Sequence, residues 1–310
     1  MQTTTTTGLT IIKLSRRRLA AVAGVCTVAL AAFPAAAAHS FEALFAPSAD
    51  LWVRWTAHDP DATARIDHWT WDRFTKTYVS DGGDGVNRVA YGRVTDADKR
   101  ALEDYIAGLG ATPVSDYARG EQLAYWINLY NALTMKVVLD HYPVDGIRDI
   151  DISPGLFADG PWDKKLVEIE GESVSINDIE HRILRPIWVD PRIHYAVNCA
   201  SIGCPNLQRT AFTAANADAL LTAAARAYVN HPRGARIEDG RLVVSSLYEW
   251  YQEDFGGDDA GVISHLRRYA DPGLRSRLAR IGRIGDHAYD WSLNDTPSKP
   301  AQETRAGGSQ

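Results

Sequence analysis

Residues 121–141 have the sequence EQLAYWINLYNALTMKVVLDH, and this stretch decides the fold. Wound as an α-helix, it carries apolar side chains around nearly its whole circumference, a pattern typical of a helix that is buried on most sides. Pro143 follows closely and ends the helix, because proline cannot continue the hydrogen-bond ladder. The sequence therefore predicts a central helix around which the rest of the chain packs.

A polar stripe interrupts this apolar surface. At about 100° per residue, Glu121, Tyr125 and Asn128 fall on one face of the helix, with Asn131 beside them. These side chains need partners, because a buried polar group without hydrogen bonds costs roughly 1–3 kcal/mol. The stripe either holds neighbouring backbone in place or contributes to a binding site, and both interpretations stay open.

The first 38 residues predict an export signal. They carry Lys13 and Arg16 to Arg18 without any acidic residue, and an apolar run from Leu19 to Phe33 follows. A proline and four alanines close the segment, so we expect cleavage after Ala38. The adjacent arginines favour the twin-arginine route over the ordinary secretory route. We therefore expect a bacterial protein that works in the periplasm or is secreted.

The composition excludes some classes of partner. The chain has 33 lysines and arginines against 39 aspartates and glutamates, and loss of the four basic residues of the signal would leave 29 against 39. Phosphate binding needs clustered basic residues, so the acidic balance excludes nucleic acid as a partner.

No second apolar stretch reaches the length of a membrane span, so we expect no integral membrane segment after signal cleavage. We also expect no cofactor and no metal, since no motif for either is present, and the sequence names no other partner.

The hydrophobic periodicity of the chain predicts an α+β fold, a helix-rich single domain around a small, mostly antiparallel sheet. The helices are expected from Thr95 onward and over 211–230, 246–255 and 261–270. Hairpins are expected at 166–176 and at 237–244, the second with Asp-Gly in its turn, and a buried strand at 192–198. The predicted organisation is a signal peptide at 1–38, an N-terminal helical segment at 39–110, a core with a C-terminal extension at 111–294 and a disordered tail at 295–310.

A short helix is predicted after the first hairpin. Asn177 is in position to cap it, Glu180 three residues later completes a capping box, and Pro186 is expected to stop it near Arg185. Capping accounts for Glu180 without any function, whereas nothing comparable explains His181. Both are retained as candidate binding residues.

The densest polar chemistry lies in residues 192–205, RIHYAVNCASIGCP. As a strand, this segment places His194 and Asn198 on one face and Cys199 on the other, which counts against a simple pair of Cys199 and His194. Ser201 lies in the turn that follows. Asn198 and Ser201 are taken as further candidate binding residues.

The two thiols of this segment, Cys199 and Cys204, have three interpretations. In an oxidising compartment a disulfide comes first, since it would pin the turn between them. A nucleophile at Cys199 comes second, because it needs a lowered pKa and a base within reach. A zinc site with His181 and His194 comes third, since the spacing is a weak zinc pattern.

Three blocks of the sequence resemble the family catalogued as domain of unknown function 547. They are YWINLYNAL at 125–133, SINDIEHRILR at 175–185 after Gly171, and DPRIH at 190–194 running on to Cys199, Ser201 and Cys204-Pro205. The ending YDWSLN at 289–294 is similar to that of the bacterial members. The resemblance implies that one region of the fold holds Glu121, Asn128, Asn131, Glu180, His181, His194, Cys199 and Cys204. It brings no function. Related sequences also occur inside plant and animal cells, which weakens a disulfide as the universal role of the cysteine pair and adds some support to thiol chemistry.

A looser resemblance is to papain- and transglutaminase-like thiol hydrolases, in which a buried helix carries the nucleophilic cysteine ahead of a strand histidine. Here the corresponding helix carries Asn128 and no cysteine.

Two functions therefore stay open, and whether the protein is an enzyme is not decided. The one we prefer is a binding or scaffold module of the cell envelope, in which the polar residues hold the core and a disulfide pins the turn. The alternative is a hydrolase or transferase for an amide or ester, with Cys199 as nucleophile and His194 as base. In it, Asn128 or Asn198 would orient the imidazole or stabilise an oxyanion.

Overall fold

A computed structural model describes residues 46–154 and 160–296 of the chain. The fold is α+β, about 48% helical with small and mostly antiparallel sheets, so the predicted fold class is confirmed. The predicted signal peptide lies outside the described residues, as does the predicted tail beyond residue 296. The division into segments at residues 110 and 294 stays a prediction.

Helices and strands alternate along the chain. In order they are α1 (Trp69–Tyr78), β1 (Val79–Asp81), β2 (Asn87–Val89), α2 (Asp96–Gly110), α3 (Arg119–His141), β3 (Lys165–Ile169), β4 (Glu172–Ser175), a π-helix (Asp178–Leu184) that continues into α4 (Arg185–Trp188), α5 (Ala217–Val229), β5 (Ala235–Glu238), β6 (Arg241–Ser245), α6 (Leu247–Trp250), α7 (Asp259–Tyr269), α8 (Pro272–Leu278) and β7 (Ile284–Ala288). Among the 3-10 turns between them, the segments Pro191–Tyr195 and Gln252–Phe255 matter for the site.

The central helix is α3, as predicted from its apolar circumference. Tyr125, Ile127 and Leu129 within it are fully buried, and the helix lies inside the larger of two hydrophobic cores. It begins two residues before the predicted start, at Arg119, and ends at His141. Within 46–154 and 160–296, no helix is both long and apolar enough to cross a membrane.

The strands form three small sheets. β1 pairs with β2 and β3 with β4, each antiparallel, while β6 pairs antiparallel with β5 and parallel with β7. Both predicted hairpins are confirmed. At the tip of the second, Asp239 and Gly240 have φ angles of 48° and 74°, the positive values that a type I′ turn requires.

Two hydrophobic cores meet at the segment that carries the histidine and the cysteines. Ile193, Ala196 and Val197 pack into the core around α3. Tyr195 packs instead into a second core built from α5, β5, β6 and α7. The segment is therefore held from both sides, which fixes the backbone just before Cys199.

The predicted strand over 192–198 is wrong, because this stretch begins as a 3-10 turn at Pro191–Tyr195. The Asp190 carboxylate accepts a hydrogen bond from the Arg192 N–H at 2.9 Å and caps the turn. The apolar side chains of this stretch suit a buried turn between two cores as well as a buried strand. Periodicity over so short a run does not separate the two.

The predicted short helix exists, but its ends differ from the prediction. Ser175 and Asp178 cap it by exchanging hydrogen bonds of 2.8 and 3.1 Å between side chain and backbone, and Asn177 makes no side-chain cap. The helix begins as a π-helix and passes through Pro186 to Trp188. A proline is tolerated there because it occupies the first turn of α4.

Candidate functional site

Four side chains converge at the turn that follows the 3-10 segment, and we call them the thiol cluster: Cys199, Ser201, Cys204 and Tyr289. The Cys199 sulfur lies 2.9 Å from the Cys204 sulfur, 3.2 Å from the Ser201 hydroxyl and 3.1 Å from the Tyr289 hydroxyl. Both cysteines are free thiols in this structure. Cys199 is half-buried, whereas Cys204 is only 4% exposed. Cys199 is therefore the more exposed residue of the pair, and we call its thiol the outer one and that of Cys204 the inner one.

Buried amides hold the backbone of this turn. Asn131 on α3 donates to the Ala196 carbonyl at 2.9 Å and accepts from the Asn198 N–H at 2.8 Å. Asn198 in turn donates to the Pro205 carbonyl at 2.7 Å and accepts from the Ala200 N–H at 2.9 Å. Ala200 is thereby held at a φ of 61°, a left-handed conformation that non-glycine residues rarely adopt and that occurs often at functional sites.

The C-terminal segment closes over the turn. Ile202 and Gly203 donate backbone hydrogen bonds to Ser292 and Asp290, at 2.8 and 2.7 Å. A side chain at Gly203 would place its Cβ 2.8 Å from the Asp290 nitrogen and 2.9 Å from the Tyr289 ring, so this close approach requires glycine. The same pairing brings the Tyr289 hydroxyl to the Cys199 sulfur.

The two thiols have opposite pKa shifts. Burial raises the pKa of Cys199, but hydrogen bonds with Cys204, Ser201 and Tyr289 outweigh it, so the pKa of Cys199 lies below its usual value. Burial raises the pKa of Cys204 well above its usual value, and the hydrogen bond to Cys199 and the charge of Cys199 raise it further. The lowered pKa of Cys199 and the raised pKa of Cys204 favour the thiolate, the nucleophilic form of a thiol, on Cys199 over Cys204.

A second group of side chains, which we call the charged cluster, comprises Glu180, His181, Arg185, His194 and Asp254. His194 Nε2 donates to the Asp254 carboxylate at 2.7 Å, and its Nδ1 lies 3.3 Å from Glu180 Oε1 without the alignment of a hydrogen bond. Arg185 donates to Asp254 at 2.6 Å and to His181 Nδ1 at 3.0 Å. The π-helix and α4 supply three of these residues, and the two 3-10 turns supply the others.

The pKa shifts of this cluster follow from the pairing. Burial lowers the pKa of His194, but its hydrogen bond to Asp254 and the charges of Glu180 and Asp254 outweigh this and raise it. Burial raises the pKa values of Glu180 and Asp254, yet the neighbouring histidines and Arg185 bring both to about 2. Burial lowers the pKa of His181 to about 4. The cluster thus holds His194, with its raised pKa, between two carboxylates and beside His181, whose pKa is lowered.

As a function of pH, the free energy of unfolding should be highest near pH 6.5, the ordinary pKa of histidine. Burial lowers the pKa of His68, His181 and His265 to about 4, so between pH 6.5 and 4 the unfolded chain binds more protons and unfolding becomes easier as pH falls. His194 has a raised pKa, so its contribution is present below pH 6.5 and is lost as pH rises through the raised value.

Urea unfolding between pH 5 and pH 9 would measure this pH dependence. In a His265→Gln variant the acid limb should become about one third shallower, because one of three shifted histidines is removed. An unfolding free energy that stays constant from pH 7 to pH 5 would contradict the assignment of neutral buried histidines.

The two clusters are neighbours. Tyr251 stacks on His194 with ring centroids 4.5 Å apart. Burial raises the pKa of Tyr251, and the charges of Glu180, Cys199 and Cys204 raise it further. Burial and those same three charges also raise the pKa of Tyr130. These two tyrosines therefore lie within electrostatic reach of the thiol cluster and of the charged cluster.

The structure distributes the predicted site residues over several places. Cys199, Ser201 and Cys204 are together in the thiol cluster, and Glu180, His181 and His194 are together in the charged cluster. Asn131 and Asn198 hold the turn, as described above. Asn128 instead exchanges hydrogen bonds of 2.8 and 3.0 Å with the Phe212 backbone, and Glu121 accepts one from the Ile66 N–H at 3.3 Å. The predicted nucleophile and base are not hydrogen-bonded, because both ring nitrogens of His194 face carboxylates.

Sequence reasoning missed Tyr289, Arg185 and Asp254. Tyr289 stands in the YDWSLN ending and Arg185 at the end of the SINDIEHRILR block, so the family resemblance contained a signal for both. Asp254 follows a run of aromatic residues at 248–251 and carried no motif.

A groove of about 550 Å³ lies elsewhere on the surface, and none of its lining residues belongs to either cluster. Trp188 and Tyr269 line it together with Arg192. The Arg192 guanidinium is engaged by Asp190 and Asp218 at 2.7 and 2.8 Å. Among the described residues, no group of three or more His, Cys, Asp or Glu side chains is arranged to hold a metal ion.

Fold and site together define an α+β protein in which a pair of thiols, one on half-buried Cys199 and one on buried Cys204, lies beside a buried ion-pair cluster. Residues 114–229 match the family model described as "Protein of unknown function, DUF547", which supports the resemblance over that segment. The match includes α3, the π-helix and both cysteines, and it ends before Asp254 and Tyr289. No curated protein and no solved structure matches the chain.

Proposed function

We propose that the chain is an exported thiol protein whose reactive group is the Cys199–Cys204 pair, and that it acts on disulfides by thiol–disulfide exchange. One observation carries the proposal: a half-buried sulfur with a lowered pKa lies 2.9 Å from a buried sulfur with a raised pKa. An outer thiolate attacks a substrate disulfide, and an inner thiol in contact with it completes the exchange.

The exchange has two steps. The Cys199 thiolate attacks one sulfur of the substrate disulfide, whose S–S bond breaks, and the departing thiolate takes a proton from water. Cys204 then loses its proton and attacks the Cys199 sulfur, which breaks the mixed disulfide and releases the second substrate thiol. The substrate disulfide is reduced to two thiols and the Cys199–Cys204 pair is oxidised to a disulfide. In this proposal the disulfide expected from the sequence is the oxidised state of the site.

The geometry favours exchange over acyl transfer. A thiol hydrolase or transferase needs a group that protonates the leaving amine or alcohol, commonly a histidine beside the nucleophile. His194 directs its ring nitrogens to Asp254 and Glu180 instead. Thiol–disulfide exchange needs only an attacking thiolate and a leaving thiolate, and the lowered pKa of Cys199 favours the first of these.

The binding or scaffold function explains a different part of the molecule. Asn128, Asn131 and Asn198 each satisfy backbone groups, which supports a structural duty for the buried amides. Export rests on the sequence of the first 38 residues and suits the proposed chemistry, since disulfides persist in the periplasm and outside the cell.

Trapping a mixed disulfide tests the proposal. The mature chain with Cys204→Ser, incubated with oxidised glutathione, is expected to gain one stable glutathionyl group on Cys199, because the second step is blocked. The matched variant Cys199→Ser should gain none, since Cys204 is buried and its pKa is raised. The wild-type chain should pass on to an internal disulfide, detected by intact mass as the loss of two hydrogens. Absence of an adduct on Cys204→Ser, or equal adducts on both variants, contradicts the proposal.

A further inference from the structure

Three aromatic side chains in mutual contact adjoin the outer thiol through Tyr289, and we call them the aromatic collar: Trp250, Tyr289 and Trp291. The Tyr289 ring lies 4.8 Å from the Trp250 ring and 4.7 Å from the Trp291 ring, and the two tryptophan rings are 5.4 Å apart. Each of the three is half-buried, as Cys199 is. Tyr289 joins the collar to the thiol through its hydroxyl, 3.1 Å from the sulfur.

The collar is held rigidly beside the thiol. Trp250 ends α6, while Tyr289 and Trp291 lie on the C-terminal segment that pairs with residues 201–203. Arg148 lies over the Trp291 ring, with its guanidinium carbon 5.2 Å from the ring centroid. Any substrate whose disulfide reaches the Cys199 sulfur therefore brings its neighbouring groups close to partly exposed aromatic surface.

We infer that the site takes disulfides of polypeptides in which aromatic side chains flank the cysteine, an inference that rests on the proposed function. Aromatic faces gain contact area and favourable ring geometry from aromatic partners, and a small hydrophilic disulfide offers neither. A cystine flanked by aromatic residues supplies the S–S bond for Cys199 and rings for the collar at the same time. Such segments are exposed in unfolded chains and buried in folded ones.

Two symmetric peptide disulfides of equal charge provide the test, the dimers of acetyl-Phe-Cys-Phe-amide and of acetyl-Gly-Cys-Gly-amide. The rate of mixed-disulfide formation at Cys199 is measured with the Cys204→Ser chain, and each rate is divided by that of free N-acetylcysteine with the same probe. The corrected rate for the Phe probe is expected to be about tenfold higher, the effect of one or two aromatic contacts.

Variants locate the preference on the collar. Trp250→Ala and Trp291→Ala, each added to Cys204→Ser, should bring the ratio of the two corrected rates towards one. Trp69→Ala is the matched control, because Trp69 is 64% exposed and lies on α1, and it should leave the ratio unchanged. Equal corrected rates for the two probes, or a preference that survives both collar variants, overturn the inference and leave thiol–disulfide exchange standing. If neither probe labels Cys199, the proposed function itself fails.

Discussion

Replacing Arg185 with alanine is expected to lower the free energy of unfolding by about 3–5 kcal/mol, the cost of breaking a buried ion pair by removing one partner. The Arg185 side chain is only 3% exposed and donates to Asp254 at 2.6 Å, to His181 at 3.0 Å and to the Pro47 carbonyl at 2.7 Å. Without the guanidinium, the carboxylates of Glu180 and Asp254 lose the arginine charge that helps to lower the pKa values of both.

Arg182 is the matched control because it lies one turn away on the π-helix. Its side chain is 37% exposed, and its buried partner Asp178 keeps Lys165 and Ser175 as partners without it, so Arg182→Ala should cost about 1 kcal/mol or less. Urea unfolding of both variants at pH 7 measures the difference. Equal losses for Arg182→Ala and Arg185→Ala would show that burial of the charged cluster does not set its energetics.

Asn131→Ala is expected to cost about 2–4 kcal/mol. The amide is 3% exposed and satisfies the Ala196 carbonyl and the Asn198 N–H, both in the buried backbone before Cys199. Alanine leaves a buried donor and a buried acceptor without partners, and each of these carries a desolvation cost of roughly 1–3 kcal/mol.

Thr134, on the same helix, provides the contrasting substitution. It is 2% exposed and its hydroxyl has no hydrogen-bond partner among residues 46–154 and 160–296, so Thr134→Val removes an unpaired polar atom and keeps the shape. We expect this change to be neutral or stabilising in the same urea experiment. A loss for Thr134→Val as large as that for Asn131→Ala would mean that packing, and not hydrogen bonding, dominates at both positions.

Local chemistry made several elements predictable. The apolar circumference of α3 marked its burial, and the side chain of Thr95 caps α2 by accepting from the Asp98 N–H at 3.1 Å. The Asp239-Gly240 turn follows from backbone sterics at two residues. The prediction of a strand over 192–198 failed because the apolar side chains of this segment suit either a buried strand or a buried 3-10 turn. Only the positions of the two cores select between them.

In the candidate site, too, some features follow from the local sequence and others only from the packing of the fold. Sequence alone singled out Cys199, Cys204, His194 and Glu180. Titratable side chains inside apolar segments cost free energy on burial unless they have partners or a function. The sequence also determined the α+β class, since burial patterns and turn chemistry act over a few neighbouring residues.

Only the tertiary structure decided which groups meet. His194 pairs with Asp254, 60 positions along the chain, and Cys199 contacts Tyr289, 90 positions away. Their alignment depends on how two cores and a closing C-terminal segment pack, and packing joins residues whose separation in sequence leaves no periodic signal. The lowered pKa of the Cys199 thiol therefore depends on neighbours that the fold brings to it, whereas the cysteine itself is visible in the sequence.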